Sequence, residues 1–140
     1  MNWLIQKLLH GRAVPRVIEP RTHEILDWVV TGYFLVLAGA NWGRHRRATA
    51  TALINAGAVA GLIAFTDYDG DGRKPLSFED HGKMDLVQAG MASGLPVLLG
   101  FASDSTAIPF QAQAMNELLV VSATDWEANE HGMRREDIAA

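Results

Sequence analysis

Apolar residues in this chain are gathered into four long stretches, and charge lies almost wholly between them. The stretches are 28–43 (WVVTGYFLVLAGANWG), 48–66 (ATATALINAGAVAGLIAFT), 84–103 (MDLVQAGMASGLPVLLGFAS) and 105–124 (STAIPFQAQAMNELLVVSAT). None shows the period-two alternation of a half-buried strand. All are near the ~20 residues a helix needs to cross a bilayer, the first once it is extended back to Ile25. All are rich in Gly, Ala, Ser and Thr, which let helices approach closely where lipid gives no hydrophobic push. The pattern predicts four transmembrane helices. A water-soluble four-helix bundle is the competing reading, since mean hydropathy is only +0.04 and the fourth stretch carries Gln111, Gln113, Asn116 and Glu117. The second stretch opposes it, because its one strongly polar residue is Asn55 and a soluble bundle helix needs a polar face.

The chain also matches itself at an offset of 58 residues. His23 falls on His81, Asp27 on Asp85, Gly32 on Gly90, Thr66 on Thr124, Asp67 on Asp125 and Tyr68 on Trp126. A self-match of this length reads as one supersecondary unit used twice. The expected organisation is an N-terminal amphipathic segment (1–22), a first helical hairpin (23–69), an acidic loop (70–80), a second hairpin (81–126) and a charged tail (127–140). Residues 1–10 (MNWLIQKLLH) separate apolar from polar positions as a short helix on a membrane surface would, and Pro15 and Pro20 break the chain after it.

Two crossings return a chain to its starting side, so the second hairpin enters as the first did. The hairpins should run parallel, related by a pseudo-twofold along the membrane normal. His23, Asp27, Thr66, Asp67, His81, Asp85, Thr124 and Asp125 then share one face. The other face has only the Arg44–Arg47 turn and the Ala102–Ser105 link. Lys and Arg are more numerous on the first face, which places both termini in the cytoplasm; the dense Arg44–Arg47 run argues the opposite way. Trp28, Tyr68 and Trp126 should form an aromatic belt at the first face, with Trp42 at the other.

His23 and Asp27 are four residues apart, as are His81 and Asp85, so each pair lies on one side of its helix. A carboxylate orients an imidazole and raises its basicity. Two such pairs across a pseudo-twofold could bind a divalent metal or relay protons; solvated interfacial side chains are the plainer reading. No Glu-x-x-His element supports a di-iron carboxylate bundle. Asp67 and Asp125 end helices, where the dipole disfavours them, and are expected to reach the N-terminus of a neighbouring helix. Asp67, Asp69 and Asp71, followed by Gly72, match the first half of a calcium loop, but Phe78 stands where the bidentate acid belongs. Asn55, Gln88, Gln111, Gln113, Asn116 and Glu117 should pair inside the bundle, with Glu117 a candidate functional acid.

The chain has no cysteine and a net charge of −4. Disulfides and thiolate sites are therefore excluded, and nothing favours nucleic acid as a partner.

The second hairpin resembles the SPW repeat family of small bacterial membrane proteins. Pro96 matches the family's proline and Gly100–Phe101 its Gly-Phe, while Val97 replaces the tryptophan and Gly94–Leu95 occupy the serine position. The first hairpin has Ala38 and Trp42–Gly43 at the corresponding places. The resemblance implies a two-repeat, four-helix, multi-pass protein of the bacterial cytoplasmic membrane and carries no catalytic residues with it. Together these readings give an all-α, four-transmembrane-helix bundle of two parallel helical hairpins. It is expected to be non-enzymatic: a structural or interaction subunit in the bilayer, working as a homo-oligomer or within a larger membrane complex. The alternative is a small transporter or metal-binding protein using the His/Asp face.

Overall fold

The computed structural model describes residues 2–10 and 14–129. Most of the tail expected over 127–140 therefore lies outside the described residues, as do Met1 and residues 11–13. Among the described residues the chain is all-α apart from two short paired strands. Its elements are α1 (Asn2–His10), α2 (Pro20–Asn41), α3 (Arg46–Phe65), β1 (Thr66–Asp67), β2 (Leu76–Ser77), α4 (Phe78–Leu98) and α5 (Ile108–Ala123), the last entered through a 3-10 turn at Ser105–Ala107.

Local chemistry explains the helix boundaries. Pro20 opens α2, where its missing N–H is not needed and its fixed φ suits the first turn. The side chain of His45 caps α3 by accepting from Ala48 N at 3.1 Å. Ser77 Oγ caps α4 by accepting from Asp80 N at 3.1 Å, and Glu79 and Asp80 place negative charge in the first turn, where the dipole favours it. The α2–α3 and α4–α5 turns pass through Gly43 (φ +73°) and Gly100 (φ +70°), left-handed conformations that favour glycine. These two turns touch each other, with His45 Nε2 3.1 Å from Asp104 Oδ2.

The core is built from small and aromatic side chains: Ala38, Ala48, Ala52, Ala56 and Ala92 let the helices close, and Phe34, Phe101 and Phe110 fill the space left. At the opposite end from these turns, β1 and β2 pair in parallel, Thr66 beside Leu76. A second parallel bridge joins Ile18 to Thr124, and Asp125 N donates to Ile18 O at 2.9 Å. Ile18 and Leu76 are themselves 58 residues apart. The same contact is therefore made twice, each time between the segment leading into one hairpin and the end of the other.

One helix among the described residues, α3, is long and apolar enough to cross a membrane by length and composition, and 39% of its most apolar window is buried. The α5 helix has 16 residues, short of a full crossing by itself.

Candidate metal centre

The first turns of α2 and α4 meet, and that meeting creates the site. His23, Asp27, His81 and Asp85 are all buried, and each offers one ligand atom such that the four atoms lie within 4.8 Å of one another. Both imidazoles are fully buried, with ring centroids 5.2 Å apart and planes nearly perpendicular. Helical spacing of four presents His and Asp from one face of each helix, and the parallel entry of α2 and α4 turns the two faces toward each other.

The nitrogens and oxygens alternate around the centre. His23 Nε2 lies 3.0 Å from Asp85 Oδ2 and 3.5 Å from Asp27 Oδ1. His81 Nε2 lies 3.2 Å from Asp27 Oδ2 and 3.1 Å from Asp85 Oδ1. Yet His81 Nε2 has no hydrogen-bond partner. Both carboxylate oxygens are within reach, and neither lies in the direction the nitrogen points. It is aimed into the gap between them.

The other ring nitrogens fix the tautomers. Thr66 Oγ1 donates its single hydrogen to Leu62 O at 2.6 Å, so toward His81 Nδ1, 2.7 Å away, it offers only a lone pair. Thr124 Oγ1 likewise donates to Val120 O at 2.7 Å and faces His23 Nδ1 at 2.9 Å. Each Nδ1 must therefore carry hydrogen, which leaves each Nε2 as the atom facing the centre. An outer hydrogen bond on Nδ1 is the usual support for a metal-ligating histidine. The support crosses between hairpins: Thr66 of the first holds His81 of the second, and Thr124 of the second holds His23 of the first.

Aromatic side chains close the site. Trp126 packs on His23 with centroids 4.9 Å apart, and Tyr68 packs on His81 at 5.4 Å. The Tyr68 hydroxyl donates to Asp27 Oδ2 at 2.7 Å. Burial pushes that phenol well above its ordinary range and the Asp27 charge pushes it further, so it stays a donor. Trp126 instead donates its indole N–H to Val121 O at 2.9 Å. Its ring lies so close to Gly82 that a Cβ there would stand 2.9 Å from ring atoms. Gly82→Ala should displace the indole and lower unfolding free energy by about 1–3 kcal/mol; denaturant unfolding followed by circular dichroism measures the loss.

His81 precedes the apolar stretch 84–103. Burial acts to lower its pKa, but Asp27 and Asp85 outweigh burial and raise it to about 10. A folded-state pKa above the unfolded value stabilises the metal-free fold fully below about 6.5, and the contribution disappears as pH climbs through about 10. Unfolding of chelator-treated protein should accordingly become easier between pH 6.5 and 10; a flat profile would show that the carboxylates do not hold a proton on His81.

Several expected residues lie elsewhere. Tyr68 and Trp126 are buried against the histidines rather than forming a belt with the exposed Trp28. Asp67 does not reach a neighbouring helix: its carboxylate accepts from Gly70 N, Asp71 N and Gly72 N of its own loop. Three nearby backbone donors satisfy it without crossing the bundle. Asp125 accepts from Glu127 N. Asp69 faces Arg21 at 3.7 Å and Asp71 faces Arg73 at 3.2 Å, so the loop acids do not join the buried group. Inside the bundle Gln88 donates to Asn55 at 2.9 Å and Gln113 to Glu117 at 3.1 Å; Asn116, which donates to Gln113 at 3.4 Å, and Gln111, which donates to Ser93 O at 3.1 Å, are instead exposed, because they lie on the outward side of α5. The pairing of Ile18 with Thr124 was missed from the sequence; carrying the 58-residue self-match back to Ile18 and Leu76 would have pointed to it.

The four-residue set suits a divalent ion in two respects. Imidazole and carboxylate are donors that zinc accepts, and the four candidate ligand atoms, one from each residue, lie within 4.8 Å of one another; the edges of a tetrahedral centre with bonds of 2.0–2.1 Å are ~3.3 Å, so an ion would draw them inward. Two carboxylates would also neutralise a dication in a place where net charge is costly. Comparison with known protein families, with curated proteins and with solved structures returned no match.

Proposed function

We propose that this chain is a small membrane protein that binds one divalent transition-metal ion, zinc being the best fit, between two equivalent helical hairpins. The observation carrying the proposal is His81 Nε2, buried without a hydrogen bond and aimed into a gap bordered by two carboxylates and a second imidazole. Imidazole and carboxylate without thiolate suit Zn²⁺ or a neighbouring first-row ion. Four protein ligands leave no vacant position of the kind a catalytic zinc keeps, so the proposed role is binding and clamping rather than catalysis. The ion would draw α2 and α4 together and make the assembly of the hairpins metal-dependent.

The membrane part of the proposal rests on the distribution of polarity. Val36 is 70% exposed and Leu98 80% exposed, while Asn55 is fully buried and Gln88 and Glu117 nearly so. Apolar side chains outside and amide and carboxyl groups inside suit a lipid surround better than water. Four crossings in two parallel hairpins, as the SPW repeat resemblance implies, would place the metal centre at one rim. The broad apolar exterior also favours a second reading, an interaction subunit that packs against other membrane proteins. The two readings are compatible, since a metal-clamped bundle can serve as such a subunit.

Purified in mild detergent and stripped with chelator, the protein should take up one Co²⁺ per chain, with the intense visible absorption of a tetrahedral site. Stoichiometry well below one, or the weak spectrum of an octahedral ion, would count against the proposal.

A further inference from the structure

The four ligands are enclosed, so an ion needs a way in. Tyr68, Phe78 and Trp126 cover the rim side with rings packed on one another and on the histidines. A cavity of about 260 Å³ lies between α2 and α5, and its lining includes Asp27 of the centre together with Tyr33, Gln113, Asn116, Glu117 and Val120. Glu117 is 4% exposed and accepts from Gln113 Nε2.

The equivalent α3–α4 interface is built differently. At the 58-residue offset Glu117 corresponds to Val59, Asn116 to Ala58 and Gln113 to Asn55. There Asn55 is engaged by Gln88, and the groove alongside is apolar and includes neither His81 nor Asp85. The metal ligands and a buried amide occur in both hairpins, whereas the buried carboxylate Glu117 occurs in one. A feature added to one copy of a duplicated frame breaks the symmetry that the centre keeps.

We infer that the α2–α5 cavity is the port through which a divalent cation enters the centre, and that Glu117 is its transient carboxylate station on the way to Asp27. This rests on the metal-binding reading above. The amide oxygens of Gln113 and Asn116 can replace part of the ion's hydration shell, and the Glu117 carboxyl, which releases its proton to water as the ion arrives, supplies a charged oxygen ligand. Asp27 lines the same cavity, so the ion passes from one carboxylate to the next without crossing the aromatic cover.

The test is stopped-flow loading of the chelator-treated full chain in detergent with Co²⁺ alone, read by visible absorbance. Glu117→Gln keeps the shape and removes the charge; Val120→Phe plugs the cavity and leaves Glu117 in place. Both variants should load at least ~10-fold more slowly than the native protein, yet reach the same stoichiometry and the same final spectrum. Native loading rates in both would overturn the port while leaving the metal centre standing. A changed spectrum or stoichiometry in Glu117→Gln would also overturn it, by making Glu117 a ligand of the resting ion. Absence of Co²⁺ uptake by the native chain would overturn the centre and the port together. Circular dichroism checks the fold of each variant, and because the two act by different means, one poorly folded protein leaves the other decisive.

Discussion

Replacing His81 with alanine should abolish stoichiometric metal binding and also weaken the fold when no metal is present. The first effect follows from losing one of four ligands, with no spare His or Cys among the described residues near enough to take its place. The second follows from what remains. Asp27 and Asp85 both face the position His81 occupies, at 3.2 and 3.1 Å, and the substitution leaves two buried carboxylates with a single imidazole between them. Breaking a buried ion pair by removing one partner costs about 3–5 kcal/mol. His23→Ala should behave alike, since His23 sits between the same carboxylates. Titration with Co²⁺ and thermal unfolding of the chelator-treated variants check the two effects separately. A His81→Ala protein that still takes up one ion per chain with unaltered spectrum would remove these four residues as the ligand set.

The second large effect concerns Thr66 and Thr124, which touch no ion. Thr→Val keeps the shape and deletes the acceptor that fixes each imidazole. Each substitution should lower metal affinity by about 10- to 100-fold with stoichiometry preserved, the range seen when the outer partners of metal ligands are removed. The double variant Thr66→Val/Thr124→Val should bind more weakly than either single variant and depart from the product of their effects, because the two rings they hold touch each other and share the same carboxylates and ion. Competition with a chromophoric chelator measures it. A purely structural threonine would instead shift unfolding temperature and leave affinity unchanged.

The His/Asp pairs were legible because helical spacing alone decides that residues four apart share a face, and the self-match decides that both pairs arrive at one end. The threonines were visible at that end too, but which histidine each serves was not. That depends on the hairpins exchanging support, a relation between distant segments that no local pattern encodes. Tyr68 and Trp126 were misplaced for a related reason. An aromatic with a polar atom at the end of an apolar helix has the signature of an interfacial residue, and only the packing shows that the two rings turn inward over the histidines. Asp67 was misread because the dipole argument weighed the helix it ends and not the glycine-bearing turn after it, where three N–H groups stand ready. The helical class was readable from the apolar stretches. Of the four expected crossings, α3 alone among the described residues is long and apolar enough by length and composition, since α2 and α4 begin with charged turns and α5 is short.

The exchanged threonines have a consequence for the order in which the molecule comes together. Thr66 is 15 residues from the histidine it holds, whereas Thr124 is 101 residues from its own. The two contacts are alike in the finished protein and unlike during synthesis. The His81 half can assemble as soon as α4 has emerged, closing a short loop at little entropic cost. The His23 half must wait for the last helix to leave the ribosome. A chain stopped before Thr124 would already carry all four ligands but leave the His23 ring without its outer partner, so the strength of coordination, not the ligand count, depends on the end of the second hairpin.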